Sequence, residues 1–225
     1  MLQITKELKA AYPGGWIGAI LLKNIEVSKT GEKVLKKMTE DFEDRLRYKY
    51  KDFSHVELTL LEPIKSYIYY YKRFKKTYHV LLQLESLIFK KKSIPNVIPL
   101  VVIMFMAELK NLLLTAGHDI HSIAPPIRVG LSTGKEKYTL LNGTEKELVA
   151  GDMMMTDREG IISSIIYGPD DRTQITKFTR DVLYTVYAPP GIEEKLLREH
   201  LKDIHCFLQI VAPDVQLEGI EVYPL

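Results

Sequence analysis

The turn from Gly168 to Thr173 holds the densest set of side chains that could do chemistry. Asp171, Arg172 and Thr173 follow one another between two apolar runs. An acid, a guanidinium and a hydroxyl in one loop can bind a polar ligand. In the alternative interpretation, Asp170 and Thr173 shape the turn while Asp171 and Arg172 pair on the surface. The residues alone favour neither interpretation.

A second group of polar side chains comprises His118, Asp119 and His121. A histidine can act as a general base near neutral pH. A metal site needs three or four converging ligands with a second shell. Beyond the two histidines, no third strong ligand is obvious nearby in the sequence, so histidines in a loop without a metal are favoured. The chain also lacks a glycine-rich phosphate loop and a nucleophile elbow, and no cofactor is expected.

Three lysines and one arginine form a basic cluster within five residues: Lys72, Arg73, Lys75 and Lys76. Five tyrosines flank this basic cluster: Tyr67, Tyr69, Tyr70, Tyr71 and Tyr78. Basic side chains beside aromatic rings can bind RNA through phosphate contacts and base stacking. The alternative, which the residues alone favour, is a solvated helix face with some tyrosines in the core. The net charge of +2 does not by itself indicate a nucleic-acid-binding protein.

Helical patterns dominate the first half of the chain and must position the basic cluster. Thr30 is predicted to cap a helix whose inner face repeats every four residues from Val34 to Leu46. Further helices are predicted over Pro63 to Phe74 and Tyr78 to Phe89. Pro99 suits the first position of a helix that runs to about Leu114 and is apolar nearly all round, so it should be buried. Its apolar run is too short to cross a membrane.

Short β-type runs dominate the second half and must position the polar turn. The runs are Ile127 to Leu131, Tyr138 to Leu141, Met153 to Thr156, Ile161 to Tyr167 and Val182 to Tyr187. Asn142-Gly143 is a strong hairpin signal. A final helix is predicted after Pro189-Pro190-Gly191, and it contains the only cysteine, Cys206, which is predicted to be buried. Helices followed by strands indicate the α+β class.

Several of these segments, in this order, resemble the B3/B4 domain of the phenylalanyl-tRNA synthetase β subunit. Gln83-Leu-Glu85-Ser-Leu87 and Ile94-Pro95-Asn96-Val-Ile-Pro99-Leu100-Val101 are similar to that family's Ser-Val-Glu-Ala-Leu and Leu-Pro-Arg-Ile-Asn-Pro-Leu-Val. His118-Asp119-Ile120-His121-Ser122-Ile123 resembles Tyr-Asp-Leu-Asp-Lys-Ile. Asp171-Arg172-Thr173 and Thr179-Arg180-Asp181-Val182-Leu183 resemble Glu-Arg-Thr and Thr-Lys-Asn-Val-Leu.

The resemblance implies a three-layer α+β fold, with residues 1–225 as a single B3/B4-like domain in the cytoplasm. In the synthetase, this domain hydrolyses mischarged tyrosyl-tRNA and is classed as tRNA-binding. Such a reaction needs a side-chain pocket, a positioned water and oxyanion donors. The resemblance also implies that the segment His118 to His121 and the loop Asp171 to Thr173 face one cavity.

On this basis the site residues fall into three groups. The catalytic candidates are His118, Asp171 and Thr173. The substrate-binding candidates are Asp119, His121 and Arg172. The RNA-binding candidates are Lys72, Arg73, Lys75 and Lys76, and no metal ligand is expected.

Four positions depart from the family pattern towards apolar residues. Ala116 stands where the synthetase has a histidine, and Ile98, Val102 and Phe105 replace polar residues. The leading hypothesis is therefore a protein that binds tRNA or aminoacyl-tRNA, without DNA specificity. One alternative is a trans-acting deacylase of mischarged aminoacyl-tRNA, and another is a module that binds a small apolar molecule such as an amino acid, without RNA.

Overall fold

A computed structural model describes all residues, 1–225. The chain forms seven α-helices, most of them in its first half. They are α1 Lys6–Ala11, α2 Lys29–Lys49, α3 His55–Thr59, α4 Glu62–Lys72, α5 His79–Ile88, α6 Pro99–Asn111 and α7 Glu194–Val211. No helix combines the length and the apolar character that are needed to cross a bilayer.

Eleven strands form three sheets. The strands are β1 Leu2–Ile4, β2 Trp16–Lys23, β3 Thr115–Asp119, β4 Ile127–Leu131, β5 Lys137–Thr139, β6 Glu145–Glu147, β7 Met153–Thr156, β8 Ile161–Ser164, β9 Gly168–Pro169, β10 Val182–Ala188 and β11 Gln216–Pro224. The first sheet has the order β11-β2-β10-β3 and is antiparallel. The second has the order β1-β4-β7-β8-β9, and β5 and β6 form a hairpin across Asn142-Gly143. The mixture of helices and sheets confirms the α+β prediction.

Helix α6 lies at the centre of the molecule, as its sequence predicts. Of its thirteen residues, only Lys110 is exposed. One continuous core of 55 buried residues includes residues of α6, of the other helices and of both large sheets. Helix α7 covers the antiparallel sheet, where Leu197 and Leu201 pack so closely over Gly18 that a Cβ atom there would meet them at 2.8 to 3.1 Å.

Several local predictions are wrong. The residue that caps helix α2 is Ser28 and not Thr30, since the Ser28 hydroxyl accepts a hydrogen bond from the N–H of Gly31. Val34, which was predicted on the inner face, is exposed because the buried stripe of α2 includes Leu35 instead. Cys206 is exposed on the outer face of α7.

Three tyrosine hydroxyls tie helix α4 to the β-rich half, and a fourth, that of Tyr78, ties the start of α5 to the end of α6. Tyr67, Tyr70 and Tyr71 share one face of α4 because residues three and four apart are neighbours on a helix, and all three are buried. The Tyr67 hydroxyl donates to Tyr187 O at 2.6 Å and accepts from Leu114 N–H at 3.0 Å.

The other three hydroxyls also reach across the molecule. Tyr70 donates to Asp152 Oδ1 at 2.6 Å and accepts from Met153 N–H at 2.7 Å. Tyr71 donates to Ile165 O at 2.9 Å, and Tyr78 donates to Leu112 O at 3.0 Å. Because buried hydroxyls are costly without partners, these bonds fix α4 against the β-rich half and the start of α5 against the C-terminal end of α6.

Replacing Tyr70 by Phe should therefore destabilise the fold. The change leaves Asp152 Oδ1 and the Met153 N–H without their partner in the core, which should lower the free energy of unfolding by about 1–3 kcal/mol. Tyr69 is the matched control because its side chain is 77% exposed, and Tyr69→Phe should stay within about 0.5 kcal/mol of the wild type. Urea unfolding followed by circular dichroism measures both, and equal stabilities would contradict the anchoring role.

Candidate functional site

A cavity of about 230 Å³ lies between helices α5 and α6, strand β3 and the turn that follows β9. Much of its wall is apolar, and it includes Met104, Phe105, Ala116 and Ile175. Phe105 and Ala116 are two of the positions at which the sequence departs from the family's polar pattern. The cavity is therefore suited to an apolar group.

Glu108 brings a carboxyl group to the cavity wall. Its side chain is only 1% exposed, and its Oε1 accepts a hydrogen bond from Thr115 N–H at 2.8 Å. Burial raises the pKa of Glu108 to about 8, because no positive charge compensates for the lost hydration; the Thr115 N–H lowers it by a smaller amount. Glu108 is consequently protonated at neutral pH.

His79 brings a neutral imidazole to the same wall. Its Nδ1 lies 3.0 Å from the Tyr71 hydroxyl, whose single proton goes to Ile165 O, a group that can only accept. The Tyr71 oxygen must then accept from the Nδ1–H of His79. Nε2 is left as a lone-pair acceptor with no protein partner. Burial lowers the pKa of His79 to about 4, so the ring is neutral.

A neighbouring cavity of about 360 Å³ shares His79, Gln83 and Phe105 with the first. Its outer end is lined by Lys92 and the segment 93–95. The Oε1 of Gln83 is buried and has no hydrogen-bond partner. The shared wall thus holds polar atoms whose bonding capacity the protein leaves unused.

The basic cluster of Lys72, Arg73, Lys75 and Lys76 contributes no residue to the wall of the 230 Å³ cavity, and Lys76 is the member that comes near it. All four side chains are exposed and none forms a salt bridge. Lys76 Nζ sits 5.7 Å from the centre of the Tyr167 ring, and that ring directly precedes Gly168 and Pro169 of the wall.

Lys146 of strand β6 lies near the same ring, with its Nζ 4.7 Å from the centre of the Tyr167 ring.

The expectation that the flanking tyrosines stack on bases is wrong for four of the five. Tyr67, Tyr70, Tyr71 and Tyr78 are buried, and their hydroxyls are hydrogen-bonded within the protein. Tyr69 alone of the five is exposed.

The structure brings the two predicted catalytic segments together, but not around this cavity. His118 is not in a loop: it lies in strand β3 and is buried. Its Nδ1 is 2.8 Å from Thr173 Oγ1, and the Thr173 hydroxyl in turn donates to Asp170. Burial lowers the pKa of His118 to about 4, helped by the nearby Arg172. None of His118, Asp171 and Thr173 lines the cavity.

The predicted substrate-binding residues are occupied by contacts within the protein. Arg172 donates to both carboxylate oxygens of Asp157 at 2.9 Å and to Ser122 O at 2.7 Å. Asp119 accepts from the Thr179 hydroxyl at 2.7 Å, and the Nε2 of exposed His121 lies 2.8 Å from Asp181. The segments His118 to His121 and Asp171 to Thr173 meet at the His118–Thr173 contact, and none of their residues lines either of the two cavities described above.

The sequence reasoning missed His79 and Glu108. Glu108 ends the apolar run at 98–107, and a single carboxyl group within a helix that is predicted to be buried is itself a signal of an unusual environment. His79 gave no comparable signal, because its role depends on Tyr71 and on a wall built from the other half of the chain.

The fold and cavity define an α+β domain with a small apolar pocket. Residues 68–202 match the model of the B3/4 domain family, and the chain belongs to that family.

Among solved structures, the chain is similar to an N-terminal fragment of the phenylalanyl-tRNA synthetase beta-subunit from Pyrococcus horikoshii. The TM-score is 0.50 and the sequence identity is 12%. The match covers 99% of this chain and 50% of that one, so the chain spans about half the length of that fragment. This similarity concerns the fold. No curated protein matches the chain.

The raised pKa of Glu108 should make stability fall as the pH rises. The folded carboxyl keeps its proton up to about pH 8, whereas the unfolded one loses it near 4.5. The stabilising contribution is full below the unfolded pKa and is lost as the pH rises through the folded pKa. Between about pH 6.5 and about 8, we expect Glu108 to contribute a loss of about 1–2 kcal/mol in the free energy of unfolding. This loss opposes the gain from the buried His79, His118 and His200, whose pKa values burial lowers to about 4, so it is measured as the difference between the wild type and Glu108→Gln.

Glu108→Gln should abolish this loss, because glutamine stays neutral and can still accept from the Thr115 N–H. Glu40→Gln, at an exposed position of α2, is the matched control and should keep the wild-type slope. Urea unfolding at several pH values measures the slopes, and a Glu108→Gln protein with the wild-type slope would refute the assignment.

Proposed function

We propose that the protein binds the aminoacylated 3′ end of a tRNA, with the aminoacyl side chain in the 230 Å³ cavity. One observation carries this proposal: Lys76, from an exposed basic cluster with no acidic partners, lies against Tyr167, which directly precedes Gly168 and Pro169 of the apolar cavity's wall. Apolar pockets with a few polar groups are typical of small-ligand sites. Unpaired basic side chains are the groups that neutralise phosphates.

The family similarity supports the same proposal. The solved relative is named as part of a phenylalanyl-tRNA synthetase, an enzyme whose name specifies tRNA. A tRNA partner would place the protein in the cytoplasm, and the shared core suits a single domain over residues 1–225. The module that binds an amino acid without RNA would use the same cavity but would not need the basic cluster.

The RNA proposal predicts that charge reversal of the cluster weakens tRNA binding. Changing Lys72, Arg73, Lys75 and Lys76 to Glu should lower the affinity for total tRNA by at least about tenfold near 0.1 M salt and should flatten the salt dependence, since fewer counterions are released. Fluorescence anisotropy with labelled tRNA over a salt series measures both quantities.

The matched control reverses four exposed lysines of α2, Lys29, Lys33, Lys36 and Lys37. They do not line the 230 Å³ cavity, and their reversal should weaken binding much less. Equal losses in both variants would mean that tRNA follows net charge alone. Undiminished binding after reversal of the basic cluster would remove it from the proposed interface.

A deacylase is the second candidate function, and His79 is the observation that favours it. Its Nε2 is a free acceptor at the cavity wall, where it could take a proton from a water that attacks the ester. With a pKa near 4 it is a weak base, and Ala116 supplies no polar group at the family's histidine position. We therefore propose binding with slow or absent turnover.

This interpretation predicts which histidine would matter for deacylation. Any hydrolysis of mischarged aminoacyl-tRNA should disappear in His79→Asn and persist in folded His118→Asn, because His118 is buried against Thr173, away from the cavity. Release of radiolabelled amino acid measures the rates. Rapid hydrolysis that depends on His118 would overturn the assignment of the cavity.

A further inference from the structure

We infer that Glu108 is the counter-charge for a primary amino group bound in the cavity. The inference rests on the proposed function, in which this group is the α-amino group of the aminoacyl moiety. It adds a recognition element that distinguishes a free aminoacyl group from one whose nitrogen is acylated.

The geometry of Glu108 leaves one oxygen available. Oε1 is held by Thr115 N–H at 2.8 Å, and no hydrogen bond of the structure reaches Oε2. The side chain is buried at the wall of the cavity, in the middle of α6. Seven of the thirteen residues of α6, Glu108 among them, are buried, so the helix places the carboxyl group in the core.

Two further acceptors lie one turn apart on α5. They are the free Nε2 of His79 and the buried, unpartnered Oε1 of Gln83, and both residues line the cavity. Residues four apart share a helix face. An ammonium group has three donors and no acceptor, so it fits a wall of acceptors better than a hydroxyl or a carboxylate does.

The surroundings of Glu108 contain no competing positive charge. The other titratable groups near it are Tyr67, Tyr71 and Tyr78, all with hydroxyls committed to hydrogen bonds and with pKa values raised by burial, and the neutral His79. On the side of α7, His200 contacts the Thr115 hydroxyl at 2.7 Å and is also neutral, because burial lowers its pKa to about 4. An unpaired buried carboxyl group is neutral because ionisation there is costly. A cationic ligand would remove that cost and draw the carboxyl into its charged form.

The proton balance of this step is explicit. The ligand enters as R–NH3⁺, the Glu108 carboxyl loses its proton to the solvent, and an ammonium–carboxylate pair forms. Because burial holds the pKa of free Glu108 at about 8, nearly one proton should be released for each ligand bound at about pH 6.5. A neutral ligand would release none.

Isothermal titration calorimetry of the full chain tests the inference. The probes are leucinamide, phenylalaninamide and tyrosinamide, each compared with its N-acetyl derivative, in two buffers of different ionisation enthalpy. We expect at least one free amide to bind at least about tenfold more tightly than its N-acetyl form and to release close to one proton. Glu108→Gln should lose both the preference and the proton release, whereas Glu40→Gln should keep both.

The wild-type proton release is decisive even if Glu108→Gln fails to fold. The inference is overturned if the N-acetyl amides bind as tightly as the free amides, if binding releases no proton, or if no free amide binds. The tRNA titrations test the proposed function separately. Persistent tRNA binding without amine recognition would refute only this inference, and amine recognition without tRNA binding would refute only the RNA proposal.

Discussion

The position of the helices relative to the strands depends on buried tyrosine hydroxyls, each of which needs a hydrogen-bond partner in the core. Tyr67, Tyr70 and Tyr71 leave one face of α4 and enter the core, where their hydroxyls bond to groups of the β-rich half. Packing alone would allow helices to slide over a sheet, but a hydroxyl that loses its partner in the core costs about 1–3 kcal/mol. The bonds therefore fix the position of the helices relative to the strands.

This constraint also creates the candidate site. The same Tyr71 that bonds to Ile165 orients the His79 imidazole, and Tyr67 holds Leu114 at the start of the segment that lines the cavity. The cavity is thus bounded by elements whose separation the tyrosines set. Glu108 and His79, at its wall, are both neutral at pH 7 because burial penalises their charged forms, whereas the lysines of the basic cluster stay exposed to solvent.

Part of this arrangement could be predicted from the sequence. The all-round apolar pattern after Pro99 predicted a buried α6, and Asn142-Gly143 predicted the hairpin of β5 and β6; the structure confirms both. The family resemblance pointed to Phe105 and Ala116 as pocket positions, and both line the cavity. These signals are local, or they are carried by the order of short motifs.

The remaining features depend on contacts between distant segments. Strand β3, Thr115–Asp119, was missed because Thr-Ala-Gly-His-Asp has neither an apolar alternation nor a high strand propensity; its pairing with β10 makes it a strand. The residues alone favoured a solvated helix face with some tyrosines in the core, but not which tyrosines, since sequence spacing does not say which helix face meets the sheet. The role of Arg172 was also open until its bidentate pair with Asp157 was visible.

A crystal structure of the chain with a non-hydrolysable 3′-aminoacylamino-3′-deoxyadenosine, in leucyl and phenylalanyl forms, tests the central claim most directly. The account predicts the aminoacyl side chain in the cavity between α5, α6 and β3, with its amino group at Glu108 and the nucleoside directed towards Tyr167 and Lys76. An aminoacyl group bound instead beside His118 and Thr173, or anywhere outside this cavity, would contradict it.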